Sequence, residues 1–145
     1  MNARTILIVD DDRDQRTALD VRLKAGGYRV VGAADAVQAI AVGRKEKPDL
    51  VLLDIGLPGG DGLGVLKRLR SMTSTSTVPV VVLSAMDPAS YRDRMLAAGA
   101  VAYFQKPADF KALLTVIREA LGEAEAPAAT GAPAAAGLPR ASSLG

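Results

Sequence analysis

Neither cysteine nor histidine occurs among the 145 residues. Without cysteine there can be no disulfide, thiolate nucleophile or Cys-ligated metal, and a reducing compartment is compatible. Without histidine the chain lacks the usual general base and the commonest metal ligand at neutral pH. Any chemistry must come from carboxylates, hydroxyls, lysine and the backbone. Long apolar runs are missing too. The first, Ile6–Val9, stops at three aspartates, short of the roughly 7–15 residues of a secretory h-region. No stretch approaches the roughly 20 residues that span a bilayer. The expectation is a cytoplasmic chain with no membrane association. Charge of one sign is also lacking: 18 Lys and Arg face 16 Asp and Glu, for a net +2. The cations are dispersed among acids, so no direct nucleic-acid binding is expected.

What is present is an alternation. Short β-branched apolar runs fall at Thr5–Val9, Arg29–Ala33, Leu50–Leu53, Val78–Leu83 and Val101–Phe104. After each comes a segment with apolar spacing of three or four. Ala18, Leu19 and Leu23 mark the first helix, closed by Gly26-Gly27. Asp35 can cap the second, with Val37, Ile40 and Ala41 as its stripe. Leu63, Leu66 and Leu69 form the third. Asp87-Pro88 starts the fourth and Gly99 ends it. Asp109 caps the fifth, with Phe110, Leu113, Leu114, Ile117 and Leu121 on its apolar face. Five βα units imply an α/β fold with helices on both faces of a parallel sheet. Right-handed crossovers favour a flavodoxin-like doubly wound (βα)5 arrangement with strand order 2-1-3-4-5. One domain is expected over 1–121. Residues 122–145 are rich in Ala, Pro, Gly and Ser and read as a flexible tail.

In doubly wound sheets, sites form beyond the carboxyl ends of the strands. The first strand ends in Asp10-Asp11-Asp12, the third in Asp54, the fourth in Ser84, and the fifth runs through Tyr103 into Lys106. Each residue has an ordinary reading: a turn or cap aspartate, a structural serine, a half-buried tyrosine, a solvated lysine. Together, at successive strand ends, they make a set of carboxylates, a hydroxyl and a cation. The acids would repel one another unless a cation compensated. Mg²⁺ is the best candidate, a hard ion that takes oxygen ligands.

Ile-Val-Asp-Asp-Asp at 8–12, Leu-Leu-Asp-Ile-Gly-Leu-Pro at 52–58, Asp61-Gly62, Leu-Ser-Ala at 83–85 and Tyr-Phe-Gln-Lys-Pro at 103–107 together resemble the response-regulator receiver family over roughly residues 4–121. The resemblance implies that Asp54 is the phosphoacceptor. It implies Mg²⁺ (or Mn²⁺) held by Asp11 directly, by Asp10 mostly through water, by Asp54, and by the backbone carbonyl of Gly56. Ser84 would be the switch hydroxyl, Tyr103 the switch aromatic and Lys106 the phosphate partner, with a cis Lys106–Pro107 bond. Asp12 would be a cap or an outer-shell group.

The implied donor is a histidine kinase or a histidine phosphotransfer protein. The implied output is contact with an unknown downstream protein, or homodimerisation, through the face made by the fourth helix, fifth strand and fifth helix. The implied activity is Mg²⁺-dependent self-phosphorylation and slow self-dephosphorylation, in a single-domain or truncated regulator. Gly56 and Met86 stand where relatives tune hydrolysis by positioning water, and neither side chain can orient a water well. Ala108 stands where an aromatic often follows the Lys-Pro pair. Two other readings stay open: a haloacid-dehalogenase-type phosphatase using Asp10-x-Asp12, and a scaffold that binds partners without phosphorylation.

Overall fold

A computed structural model of the chain describes residues 3–57 and 62–123. Pro58 and Asp61, and the expected tail beyond Glu123, lie outside the described residues. The apolar runs form β1 (Thr5–Val9), β2 (Arg29–Ala33), β3 (Leu50–Leu53), β4 (Val80–Ser84) and β5 (Ala102–Gln105). Helices α1 (Arg13–Ala25), α2 (Ala36–Glu46), α3 (Gly62–Ser71), α4 (Pro88–Ala97) and α5 (Phe110–Ala120) follow them in turn. The strands are all parallel, in the order β2-β1-β3-β4-β5. This is the flavodoxin-like α/β fold anticipated from the alternation.

The reason is legible in the strands themselves. β1, β3 and β4 are buried along their whole length, and strands covered on both faces need near-continuous apolar runs. Successive side chains go to opposite faces. Leu7, Val9, Val51, Leu53, Val80 and Val82 pack under α2, α3 and α4 with Leu66, Leu69 and Met95. Ile6, Ile8, Leu50, Leu52, Val81 and Leu83 pack on the other face with Leu23, Leu113 and Ile117 of α1 and α5. Each such side chain contributes roughly 1.5–3 kcal/mol on burial. The caps are as expected: Asp12, Asp35, Asp87 and Asp109 each accept hydrogen bonds from first-turn amides.

Two expectations shift. β4 begins at Val80, two residues later than the apolar run suggests, because the Val78 amide turns back to Thr75 O at 3.0 Å. The face of α2 is also rotated. Ala39 and Gly43 are buried against the sheet, whereas Val37 is 80% exposed and Ala41 is exposed. A Cβ on Gly43 would already lie 3.4 Å from Leu69 Cδ2. The helix sits so close to its neighbours that its small residues, rather than its larger ones, face inward. Ala18 of α1 is likewise exposed, with Leu23 as that helix's buried residue.

Gly62 opens α3 with its amide donating to Ile55 O at 3.0 Å. A Cβ there would lie 2.7 Å from Ile55 Cβ and closer still to its Cα, which backbone cannot absorb. Gly62→Ala should therefore lower stability by about 2–3 kcal/mol, read from the urea midpoint. An unchanged midpoint would contradict the contact.

A tether also joins the turn before β2 to the residues just after α5. Tyr28 is 7% exposed, and its hydroxyl donates to Glu123 Oε1 at 2.7 Å. Burial, then the hydrogen bond and charge of Glu123, outweigh Arg118 and push the phenol up to about 12. A raised phenol pKa favours the neutral form in the folded chain. The associated stability, on the order of 1–2 kcal/mol, is whole below pH ~10 and lost as pH rises toward ~12. Comparison of alkaline unfolding curves should show that part of the slope missing in Tyr28→Phe.

Candidate functional site

β1 and β3 are paired in register, Val9 opposite Leu53. The residues after them, Asp10 and Asp54, therefore leave the sheet side by side. Backbone bonds fix both: Asp10 N–H donates to Ala33 O at 3.0 Å and Asp54 N–H to Val9 O at 2.9 Å. One carboxylate oxygen from each of Asp10, Asp11 and Asp54 lies within 4.8 Å of the others. That is close enough for a single hard cation to be shared by oxygens from all three.

Lys106 reaches the same place from the end of β5. Its backbone N–H donates to Ser84 O at 2.8 Å, and the Lys106–Pro107 bond is cis. Lys106 Nζ lies 2.5 Å from Asp10 Oδ2 and 3.3 Å from Asp54 Oδ2. These side chains are largely screened from solvent: Lys106 is 14% exposed, Asp54 12% and Asp10 4%. Asp11 is exposed. Burial disfavours the ammonium, but the hydrogen bond to Asp10 and the charges of Asp54 and Asp10 outweigh it and hold the Lys106 pKa above its usual value. Lys106 therefore stays cationic throughout the physiological range. Three carboxylates still outnumber one ammonium, so the rim keeps an excess of negative charge that a divalent cation would neutralise.

The remaining residues sort by partner. Asp54 Oδ1 accepts from Gly56 N–H at 2.9 Å. Asp12 turns its carboxylate to the Asp14 and Gln15 amides at 2.9 and 3.2 Å, as the N-cap of α1. Ser84 is fully buried, and its Oγ accepts from Met86 N–H at 3.2 Å. Tyr103 is half-buried against the core beside α4, and its hydroxyl donates to Met86 O at 2.7 Å. Burial raises the Tyr103 pKa; the Ser84 hydrogen bond opposes it, and the charges of Asp87, Tyr91 and Asp54 add to it. The hydroxyls of the serine and the tyrosine thus converge on the backbone of one residue, Met86. No pattern in the sequence announces that hub, because backbone groups leave no mark in residue identity. Nor does any sequence pattern announce Arg16, whose Nη1 donates to Asp10 O at 2.6 Å.

The sequence pattern described as the response regulator receiver domain matches residues 6–118. The chain belongs to that family. The receiver is 41% identical over 116 residues to the response regulator MprA of Mycobacterium leprae, a match covering 80% of this chain and 50% of that protein. It spans about half the length of the curated relatives it matches. Among solved structures it resembles a CheY-like response regulator receiver domain protein from Methanospirillum hungatei JF-1, with a TM-score of 0.78, 30% identity and coverage of 83% of this chain and 95% of that one. It also resembles the receiver domain of a sensor histidine kinase from Pseudomonas aeruginosa PAO1, solved with a magnesium ion coordinated in the active site cleft. There the TM-score is 0.76 and the identity 29%, covering 84% of this chain and all of that one. In a receiver of two-component signalling, the Asp10–Asp11–Asp54 group fits Mg²⁺ binding. The phosphatase reading has no support: Asp109, the acid after Lys106 it would need for a second pair, is the N-cap of α5 and accepts from Lys111 N–H at 3.0 Å. Among the described residues, no helix is long and apolar enough to cross a membrane.

Proposed function

We propose that this receiver takes a phosphoryl group onto Asp54 from a phosphohistidine on a partner kinase or phosphotransfer protein, and signals through the α4-β5-α5 face. The reading rests on one observation: three carboxylates and one ammonium from β1, β3 and β5 share a single rim. Asp10 is the more enclosed of the two paired acids and is bound closely to Lys106. Asp54 is the less enclosed, with Oδ1 accepting from the Gly56 amide. Exposure and orientation favour Asp54 as the nucleophile.

A carboxylate attacking an anionic phosphoryl group gains most from placement and charge neutralisation. Asp54 forms the new P–O bond as the bond from phosphorus to the donor nitrogen breaks, and the leaving imidazole takes up a proton. The chain has no histidine, so the donor is a separate protein. Lys106 exchanges its weaker bond to Asp54 for a phosphoryl oxygen. Asp10, Asp11, Asp54 and the Gly56 carbonyl would hold Mg²⁺ (or Mn²⁺), which supplies further neutralisation of the transferred oxygens.

Phosphorylation adds roughly one to two negative charges and new acceptors. Ser84 answers by turning its hydroxyl from the Met86 amide toward a phosphoryl oxygen. Tyr103 holds the carbonyl of that same residue, so the β4–α4 connection and the tyrosine move together. Their movement changes the face seen by a downstream protein or a second copy. The state is a population shift between two packings, biased by the phosphoryl group.

Acetyl phosphate with Mg²⁺ serves as a small donor, releasing acetate. Intact mass should show one added phosphoryl group on the native chain and none on Asp54→Asn. Equal labelling of the two would overturn the assignment, and no labelling of either would favour the scaffold reading.

A further inference from the structure

Arg16 lies in the first turns of α1, flanked at four residues on either side by Asp12 and Asp20. An arginine so placed would ordinarily form an exposed i,i+4 pair. Instead the Asp12 carboxylate is occupied by helix amides and Asp20 pairs with Lys24 at 3.1 Å. The Arg16 guanidinium runs back to the sheet and donates to the Asp10 carbonyl at 2.6 Å. Its stem crosses β2 at Gly32, where an added Cβ would lie 3.6 Å from Arg16 Cδ.

That carbonyl belongs to the peptide joining Asp10 to Asp11. On one side of it, Asp10 N–H is fixed to Ala33 O at 3.0 Å. On the other, Asp12 N–H donates to Asp10 Oδ1 at 2.9 Å. Asp11 itself is exposed, and its side chain has no hydrogen-bond partner among the described residues. The peptide that Arg16 holds is thus the one from which Asp11 springs, and a carboxylate oxygen of Asp11 lies within 4.8 Å of oxygens of Asp10 and Asp54. α1 begins at the Asp12 cap, and Arg16 returns from that helix to the residues just before the cap, which closes a loop around the acidic corner.

We infer that Arg16 is a positioning residue for cation binding: its grip on the Asp10–Asp11 peptide holds the Asp11 carboxylate beside Asp10 and Asp54. The inference rests on the metal reading given under Proposed function.

Charge alone makes the opposite prediction. Removing a cation from the neighbourhood of a dication site leaves the site more negative, and binding should tighten. Loss of an outer residue that orients a ligand typically weakens metal affinity 10–100-fold. The test is a Mn²⁺ titration of the full chain followed by the electron paramagnetic resonance signal of free Mn²⁺, with folding checked by circular dichroism. Arg16→Met should weaken Mn²⁺ binding about tenfold or more. Gly32→Val keeps the guanidinium but puts a branched side chain, well suited to a strand, in the path of its stem. It should weaken binding in the same direction. Unchanged or tighter binding in folded Arg16→Met, or in Gly32→Val should the first variant not fold, overturns the inference. Asp11→Asn separates the two levels. If Asp11→Asn binds Mn²⁺ as the native chain does, the metal reading itself fails. If Asp11→Asn is weak and Arg16→Met is not, the positioning role fails and the metal reading stands.

Discussion

Lys106→Met should cut the rate of phosphoryl transfer from acetyl phosphate by a factor of about 100 or more, the loss typical when one preorganised charge is removed from developing negative charge. The same substitution should destabilise the fold, and for a separate reason. Asp10 is 4% exposed and would lose the ammonium now 2.5 Å away. Breaking such a pair leaves an uncompensated charge and costs on the order of 3 kcal/mol. Mg²⁺ should restore much of that stability, because a dication at the acidic corner replaces the missing charge. In the native chain Mg²⁺ should stabilise less, since Lys106 already offsets part of the repulsion. Thermal unfolding with and without Mg²⁺ measures both. A variant no more sensitive to Mg²⁺ than the native chain would show that Lys106 and the metal do not share one electrostatic task.

The second large effect concerns lifetime. Hydrolysis of an acyl phosphate needs a water held in line with phosphorus, and a positioned polar side chain can contribute roughly 10²–10⁴-fold. Gly56 is exposed and has no side chain. Met86 packs partly into the core, and its backbone is engaged by Ser84 and Tyr103. Neither offers a group to orient water. The phosphorylated chain should persist for minutes or longer with Mg²⁺ present, and decay within seconds would refute this. Gly56 also leaves room for repair: among the described residues an added Cβ would meet Asp54 Oδ1 alone, at an ordinary 3.6 Å. Gly56→Asn should therefore fold normally and lose phosphate at least tenfold faster.

The sequence announced those parts of the receiver that depend on residue type at strand ends. Asp10, Asp54 and Lys106 could be placed together because parallel strands of known order put their last residues in a row. Helix starts were equally readable, since Asp12, Asp35, Asp87 and Asp109 each cap a helix through their own side chain. Backbone-centred devices were not readable. The convergence of Ser84 and Tyr103 on Met86, and of Arg16 on the Asp10 carbonyl, uses acceptors and donors that every residue carries. Close approach was hidden as well. Gly43 and Ala39 turn inward because α2 lies near its neighbours, and the periodicity of larger side chains pointed at Val37 instead. Gly62 could be matched to a pattern, but its necessity comes from Ile55, seven residues away in sequence.

The central claim is that the acidic corner directs phosphoryl transfer to one carboxylate. Borohydride reduction of the freshly phosphorylated chain, followed by peptide mass mapping, reads the modified residue directly. Reduction at Asp54 alone is the predicted result. Reduction at Asp10, at Asp11 or away from the corner would contradict it.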